Sequence, residues 1–101
     1  MAKVKYINAK ELAELCNCGN IIICDVREPH EYKQEHIEGA INVPLSSFEA
    51  ALPEITHNNK YVFHCLGGKR TLVNEHKFKN LNCNEVYILS GGFNEWKEYN
   101  K

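Results

Sequence analysis

The apolar run NIIICDV at residues 20–26 most constrains the fold, because polar residues do not alternate with apolar ones along it. A strand with one solvated face shows that alternation, whereas a strand covered on both faces does not. Two comparable runs follow along the chain, KYVFHC at 60–65 and EVYILS at 85–90. We therefore expect a sheet that is covered on both of its faces.

Helical segments separate the predicted strands. Two shorter strands are expected at VKYI (4–7) and AINVP (40–44), and helices at 8–16, 28–37, 46–52, 71–81 and 91–99. Capping-box spacing marks two helix starts, Asn8 with Glu11 and Ser46 with Glu49. Strands that alternate with helices predict an α/β fold with a parallel sheet between helices.

The chain has 101 residues and a net charge of −1. That length predicts a single domain over residues 1–101. The charge balance gives no sign of a partner among nucleic acids or anionic membranes. The first ten residues, MAKVKYINAK, contain no apolar signal core, so we expect a protein that is not exported and is cytoplasmic.

Five cysteines are present, an odd number. Without an export signal they predict free thiols in a reducing compartment rather than a disulfide framework. Cys16 and Cys18 form a C-x-C pair, but the chain has no second close pair and its histidines are scattered. Zinc sites usually take four ligands in paired spacings, so we expect no metal.

The segment HCLGGKRT at 64–71 follows the fourth predicted strand. Ligands of parallel sheets bind beyond the carboxyl ends of the strands, which is where Cys65 is expected. Gly67 and Gly68 allow several backbone N–H groups to turn toward one point. A helix start and the cations Lys69 and Arg70 then favour a thiolate. The segment predicts an anion-binding loop with a thiolate at its floor.

Three blocks together resemble a known family: DVREPHEYKQEHIEGAINVP at 25–44, HCLGGKRT at 64–71 and LSGGFNEW at 89–96. The chain is similar to single-domain rhodaneses, which are sulfurtransferases. The central motif is C-x-x-G-x-R, from Cys65 through Gly68 to Arg70. The resemblance implies a three-layer α/β/α fold whose five-stranded parallel sheet has the strand order 3-2-4-5-1. It also implies that Cys65 carries a persulfide during turnover.

The activity expected from this resemblance moves sulfur from thiosulfate or a similar donor through a Cys65 persulfide to cyanide or a thiol. The thiol acceptor is a small molecule or a thiol-bearing protein, and no metal or organic cofactor is needed. The residues expected to hold the donor and the persulfide are Leu66, Gly67, Gly68, Lys69 and Arg70.

Two further residues, Asp25 and Arg27, are candidates for supporting roles. Asp25 and Arg27 follow a neighbouring strand, and we expect them to form a structural ion pair near the loop. His64 precedes Cys65, so strand alternation predicts that its side chain points away from the thiol, and we interpret it as a satisfied structural histidine rather than a base. The planar fork of Arg70 is expected to hold the oxygens of the donor.

Two other classes of protein remain as alternatives. A phosphatase of related fold has five residues between its cysteine and arginine, whereas four separate Cys65 from Arg70 here. The shorter loop favours one sulfur atom over a tetrahedral phosphate. The other alternative is a rhodanese-like module that only docks a partner, which the presence of Cys65 argues against.

Overall fold

The computed structural model describes residues 1–101 and contains five strands. They are β1 (Lys3–Ile7), β2 (Ile21–Asp25), β3 (Ile41–Asn42), β4 (Lys60–His64) and β5 (Glu85–Leu89). All pairings are parallel, and the order across the sheet is β1-β5-β4-β2-β3. This is the predicted order 3-2-4-5-1 viewed from the opposite edge, so the predicted sheet is confirmed.

Six α-helices cover the two faces of the sheet. They are α1 (Ala9–Cys18), α2 (Pro29–Gln34), α3 (Phe48–Ala51), α4 (Lys69–Val73), α5 (Glu75–Lys79) and α6 (Gly92–Tyr99), and a 3-10 helix spans Leu45–Ser47. None of the helices has both the length and the apolar character that crossing a bilayer requires.

The core has two parts, one on each face of the sheet. Along β4, Tyr61 and Phe63 face one part, whereas Val62 faces the other. Phe48 and Phe78, from α3 and α5, belong to the first part. The second part includes side chains from α1 and α6. Helices on both faces explain why the strands lack polar alternation.

Helix α1 begins as its capping box predicts. The Asn8 side-chain oxygen accepts the Glu11 N–H at 2.8 Å, and the Glu11 carboxylate accepts the Asn8 N–H at 2.9 Å. Both bonds satisfy N–H groups that the first helical turn leaves without a partner.

The second predicted capping box does not form. The Ser46 hydroxyl donates to the Glu28 carboxylate at 2.5 Å instead of capping a helix with Glu49. Ser46 lies within the 3-10 helix, and α3 starts at Phe48. The Ser46 hydroxyl therefore bonds to an acceptor distant in sequence, Glu28, and not within its own helical turn.

The helix predicted at 71–81 is two short helices, α4 and α5. The break falls at Asn74, whose φ of −108° and ψ of 19° leave the helical region. The Asn74 side-chain amide donates to the Arg70 carbonyl at 2.8 Å. Asparagine competes with helical hydrogen bonding in this way, which ends α4 after one turn.

We expect Phe78→Ala to lower the free energy of unfolding by about 3 to 5 kcal/mol, because it leaves a cavity in a packed core. Phe78 is fully buried and stacks on Phe63 with ring centroids 4.7 Å apart. Urea unfolding measures the loss. Leu72→Ala is the control, since Leu72 is 58% exposed, and a comparable loss in that variant would contradict the assignment.

Candidate active site

Cys65 directly follows β4 at the carboxyl edge of the sheet. In the neighbouring strand β2, Asp25 is the register partner of His64. The DVRE segment and the thiol loop therefore meet at the same edge, as expected for a ligand site in a parallel sheet. Cys65 is 1% exposed, so its thiol lies at the floor of the loop rather than on the surface.

Two polar groups lie within hydrogen-bonding distance of the Cys65 sulfur. The Gly68 N–H donates to Sγ at 3.1 Å, and the Thr71 hydroxyl oxygen lies 3.8 Å from Sγ. The four other N–H groups of the loop 66–70, those of Leu66, Gly67, Lys69 and Arg70, donate to no backbone or side-chain acceptor. Unpaired N–H groups around one concave turn form an anion-binding surface.

Gly68 has a φ of +104°, which side chains rarely permit, and a Cβ there would lie 1.9 Å from the Ser90 carbonyl oxygen. Gly92 has a φ of +65°, and a Cβ there would lie 2.5 Å from the Leu66 carbonyl oxygen. Both glycines are needed for the thiol loop to pack against the turn between β5 and α6.

The start of α6 holds the carbonyl side of the loop. The Phe93 N–H donates to the Cys65 carbonyl at 2.9 Å, and the Asn94 N–H donates to the Leu66 carbonyl at 2.9 Å. These bonds direct two loop carbonyls toward α6. The third block of the sequence, LSGGFNEW, thus shapes the loop that bears the thiol.

The guanidinium group of Arg70 is paired with Glu31 of α2. Its two terminal nitrogens donate to the two carboxylate oxygens at 2.8 and 2.9 Å. The Arg70 hydrogen bonds, the largest cause, lower the pKa of Glu31 from 4.5 to about 2. The planar fork expected to hold the donor's oxygens thus holds a carboxylate of the protein.

Asp25 and Arg27 form a buried ion pair, 0% and 4% exposed. Arg27 donates to Asp25 from Nε and from a terminal nitrogen, the latter at 2.8 Å. The same terminal nitrogen also donates to the Glu35 carbonyl at 2.7 Å. The pair makes no hydrogen bond to the Cys65 side chain and instead links the end of β2 to the segment after α2.

His64 is fully buried beside this ion pair. Its Nδ1 lies 2.9 Å from the Cys65 carbonyl oxygen, which requires a proton on that nitrogen. Its Nε2 lies 3.8 Å from an Asp25 oxygen and has no hydrogen-bond partner. Burial lowers the pKa of His64 below 6.5, so the ring is neutral at neutral pH. It is a structural histidine, but one with a single satisfied nitrogen.

Of the predicted loop residues, Gly68 contacts the Cys65 sulfur through its N–H, and Leu66 is held through its carbonyl by α6. The side chain of Lys69 is exposed and forms no ion pair. No three His, Cys, Asp or Glu side chains form a group able to hold a metal ion.

The sequence reasoning missed two residues of the site, Thr71 and Glu31. Thr71 directly follows the predicted loop, and its position there was an available signal. Glu31 lies 39 residues from Arg70 along the chain, and nothing in its local sequence indicates this pairing.

The comparisons with known proteins identify a family. The model of the rhodanese-like domain matches residues 8–99. The uncharacterized protein YqhL of Bacillus subtilis is 35% identical over 74 residues, a match covering 73% of this chain and 59% of that protein. A tRNA uridine(34) hydroxylase of Buchnera aphidicola is 31% identical over 98 residues, covering 86% of this chain and 30% of the hydroxylase.

Among solved structures, a rhodanese-related protein of Thermoplasma volcanium superposes with a TM-score of 0.77 at 29% identity. That match covers 94% of this chain and 92% of the other. By contrast, the chain spans only 59% and 30% of the length of the two curated relatives.

We expect Gly68→Ala to destabilise the protein more than Gly39→Ala. Both glycines have positive φ, +104° and +84°, but a Cβ at Gly39 meets no atom within 4 Å. Gly39→Ala should therefore cost only the left-handed backbone strain of about 1 to 2 kcal/mol. Urea unfolding compares the two variants, and equal losses would contradict the close contact between Gly68 and Ser90.

The free energy of unfolding should fall as the pH is lowered from about 7 to about 5, because the unfolded chain binds a proton at His64 that the folded chain rejects. The stabilisation is present above the unfolded pKa of 6.5 and is lost below it. The slope contributed by this one proton is at most about 1.4 kcal/mol per pH unit. Urea unfolding at several pH values should show a flatter slope for His64→Gln and the wild-type slope for His57→Gln.

Proposed function

This chain belongs to the rhodanese-like domain family, and we propose that it is a sulfurtransferase that carries the transferred sulfur on Cys65. The observation that carries the proposal is the Gly68 N–H donating to the Cys65 sulfur at 3.1 Å, within a loop of N–H groups without protein acceptors. That arrangement stabilises negative charge on the sulfur.

In the first half-reaction the Cys65 thiolate attacks the outer sulfur of a donor such as thiosulfate. A sulfur–sulfur bond to Cys65 forms while the bond within the donor breaks, and sulfite leaves with the bonding electron pair. The product is the Cys65 persulfide, which bears the negative charge. The N–H groups of Leu66, Gly67, Lys69 and Arg70 have no protein acceptor and can donate to this anion. The charged outer sulfur of the persulfide lies one bond farther from the floor of the loop than the thiolate sulfur does.

In the second half-reaction an acceptor attacks the outer sulfur of the persulfide. Cyanide becomes thiocyanate, or a thiolate becomes a new persulfide, and the Cys65 thiolate is regenerated. The acceptor thiol belongs to a small molecule or to a protein. The reaction is nucleophilic catalysis in two displacement steps, and it needs no metal or organic cofactor.

The size of the loop favours a single sulfur atom over a phosphate group. Four residues separate Cys65 from Arg70, and Gly68 packs against the Ser90 carbonyl without room for a Cβ. A phosphate presents several oxygens, each needing its own donor in the transition state. The Arg70 terminal nitrogens that would serve such oxygens donate to Glu31.

Incubation with thiosulfate should add one sulfur atom to the protein, because the donor loads Cys65. Intact-mass measurement followed by peptide mapping locates the added atom. Cys65→Ser should abolish both the loading and the formation of thiocyanate from thiosulfate and cyanide. The fold should persist in this variant, since the replaced atom is one small buried sulfur.

Cys83→Ser is the matched control. Cys83 is a half-buried thiol just before β5, at the opposite edge of the sheet from Cys65, and its variant should load sulfur as the wild type does. Loading that persists in Cys65→Ser would move the nucleophile to another cysteine. Efficient hydrolysis of an aryl phosphate that depends on Cys65 would replace the proposed activity with that of a phosphatase.

A further inference from the structure

The Glu31–Arg70 ion pair is the contact at the thiol loop that the proposed mechanism leaves without a role. Arg70 lies in the first turn of α4, whereas Glu31 lies in α2. Their side chains are 37% and 23% exposed, so the pair is accessible to solvent and to solutes. The remaining cation of the loop, Lys69, is exposed and has no ion-pair partner.

The guanidinium group of Arg70 interacts electrostatically with Cys65 as well as with Glu31. Hydrogen bonding to Glu31 is the largest cause that raises the pKa of Arg70, and Coulombic attraction to Glu31 and to Cys65 adds to it. Charge at this position therefore acts on whatever occupies the thiol site. Glu31 is ionised in the same conditions, since its pKa is about 2.

The carboxylate of Glu31 is held in place from its own helix. Its Oε1 accepts the Glu28 N–H at 3.0 Å as well as a bond from Arg70. Glu31 is the third residue of α2 and completes a capping box with Glu28. The position of the negative charge is thus set by the start of α2 and does not depend on the side chain of Arg70 alone.

This pairing has a consequence for an anionic donor. Two terminal nitrogens already serve the carboxylate, so a donor oxyanion must displace Glu31 to obtain the same two bonds. The pair is neutral overall, and its negative end repels an approaching anion. The repulsion is twice as large for a dianion as for a monoanion at the same distance.

We propose that Glu31 is a specificity-determining residue that discriminates among sulfur donors by their charge. It neutralises Arg70, weakens the binding of dianionic donors, and leaves the loop N–H groups as the main anion ligands. Donors with less negative charge are thereby favoured relative to free thiosulfate. This inference rests on the proposed sulfurtransferase function.

Two donors of the same reaction class test the proposal. Thiosulfate carries two negative charges, and methanethiosulfonate carries one because a methyl group replaces an oxyanion. The thiolate attacks the terminal sulfur of either donor, the sulfur–sulfur bond of the donor breaks, and sulfite or methanesulfinate leaves. Thiocyanate formation with cyanide as acceptor gives kcat and KM for both.

Glu31→Gln should lower the KM for thiosulfate about fivefold and that for methanethiosulfonate about twofold, because the lost repulsion scales with donor charge. Glutamine retains an oxygen that can accept the Glu28 N–H, so the start of α2 is preserved. A merely structural role for Glu31 would instead lower kcat for both donors alike, without a dependence on charge. Both changes in KM should shrink at high salt.

Arg70→Ala should raise the KM for thiosulfate, because it leaves the Glu31 charge unpaired beside the site. The double variant Glu31→Gln/Arg70→Ala should recover most of that loss. If Arg70 bound the donor directly, the double variant would be as impaired as Arg70→Ala. The double-variant cycle therefore separates neutralisation by Glu31 from direct binding by Arg70.

Glu85→Gln is the matched control, since it removes the same charge from the amino end of β5, where Glu85 pairs with Lys5 at 3.3 Å. Its KM for both donors should equal the wild-type value. A Glu31→Gln variant with an unchanged KM ratio between donors would overturn the proposal. A wild-type protein that loads no sulfur from either donor would instead refute the proposed function itself.

Discussion

The arrangement of the site depends on one buried ion pair, Asp25 with Arg27. A carboxylate without solvent must be paired, and both side chains are almost fully buried. Arg27 satisfies Asp25 through its side chain and also through its backbone N–H at 3.0 Å. It then reaches the Glu35 carbonyl after α2, and its guanidinium carbon lies 4.7 Å from the centre of the Phe93 ring. One ion pair thus connects the end of β2 to α2 and α6.

The same two helices also contact the thiol loop. Helix α6 donates N–H groups to the Cys65 and Leu66 carbonyls, whereas α2 supplies Glu31 to Arg70. The ion pair that fixes α2 and α6 relative to the sheet therefore also fixes the two ends of the loop. Rigidity of this kind suits a site that works through preorganised N–H groups rather than through a mobile side chain.

The charge of the loop is smaller than its composition suggests. Lys69 and Arg70 are adjacent cations, but Arg70 is neutralised by Glu31 and Lys69 extends into solvent. The backbone N–H groups are consequently the anion ligands closest to Cys65. Backbone dipoles favour a monoanionic persulfide without attracting dianions from a distance as strongly as free side-chain cations would.

The sequence by itself determined the parallel sheet, its strand order through the family resemblance, the capping box of Asn8 with Glu11, and the place of Cys65 at the carboxyl end of β4. These features depend on hydrophobic pattern and on contacts a few residues apart, which can be read along the chain. Only the tertiary structure decided the partner of Arg70, the acceptor for Ser46 and the unpaired nitrogen of His64. Each of these depends on which polar groups are brought together by packing. A buried or half-buried donor hydrogen-bonds to the acceptor that packing places beside it, even when another acceptor is nearer in sequence.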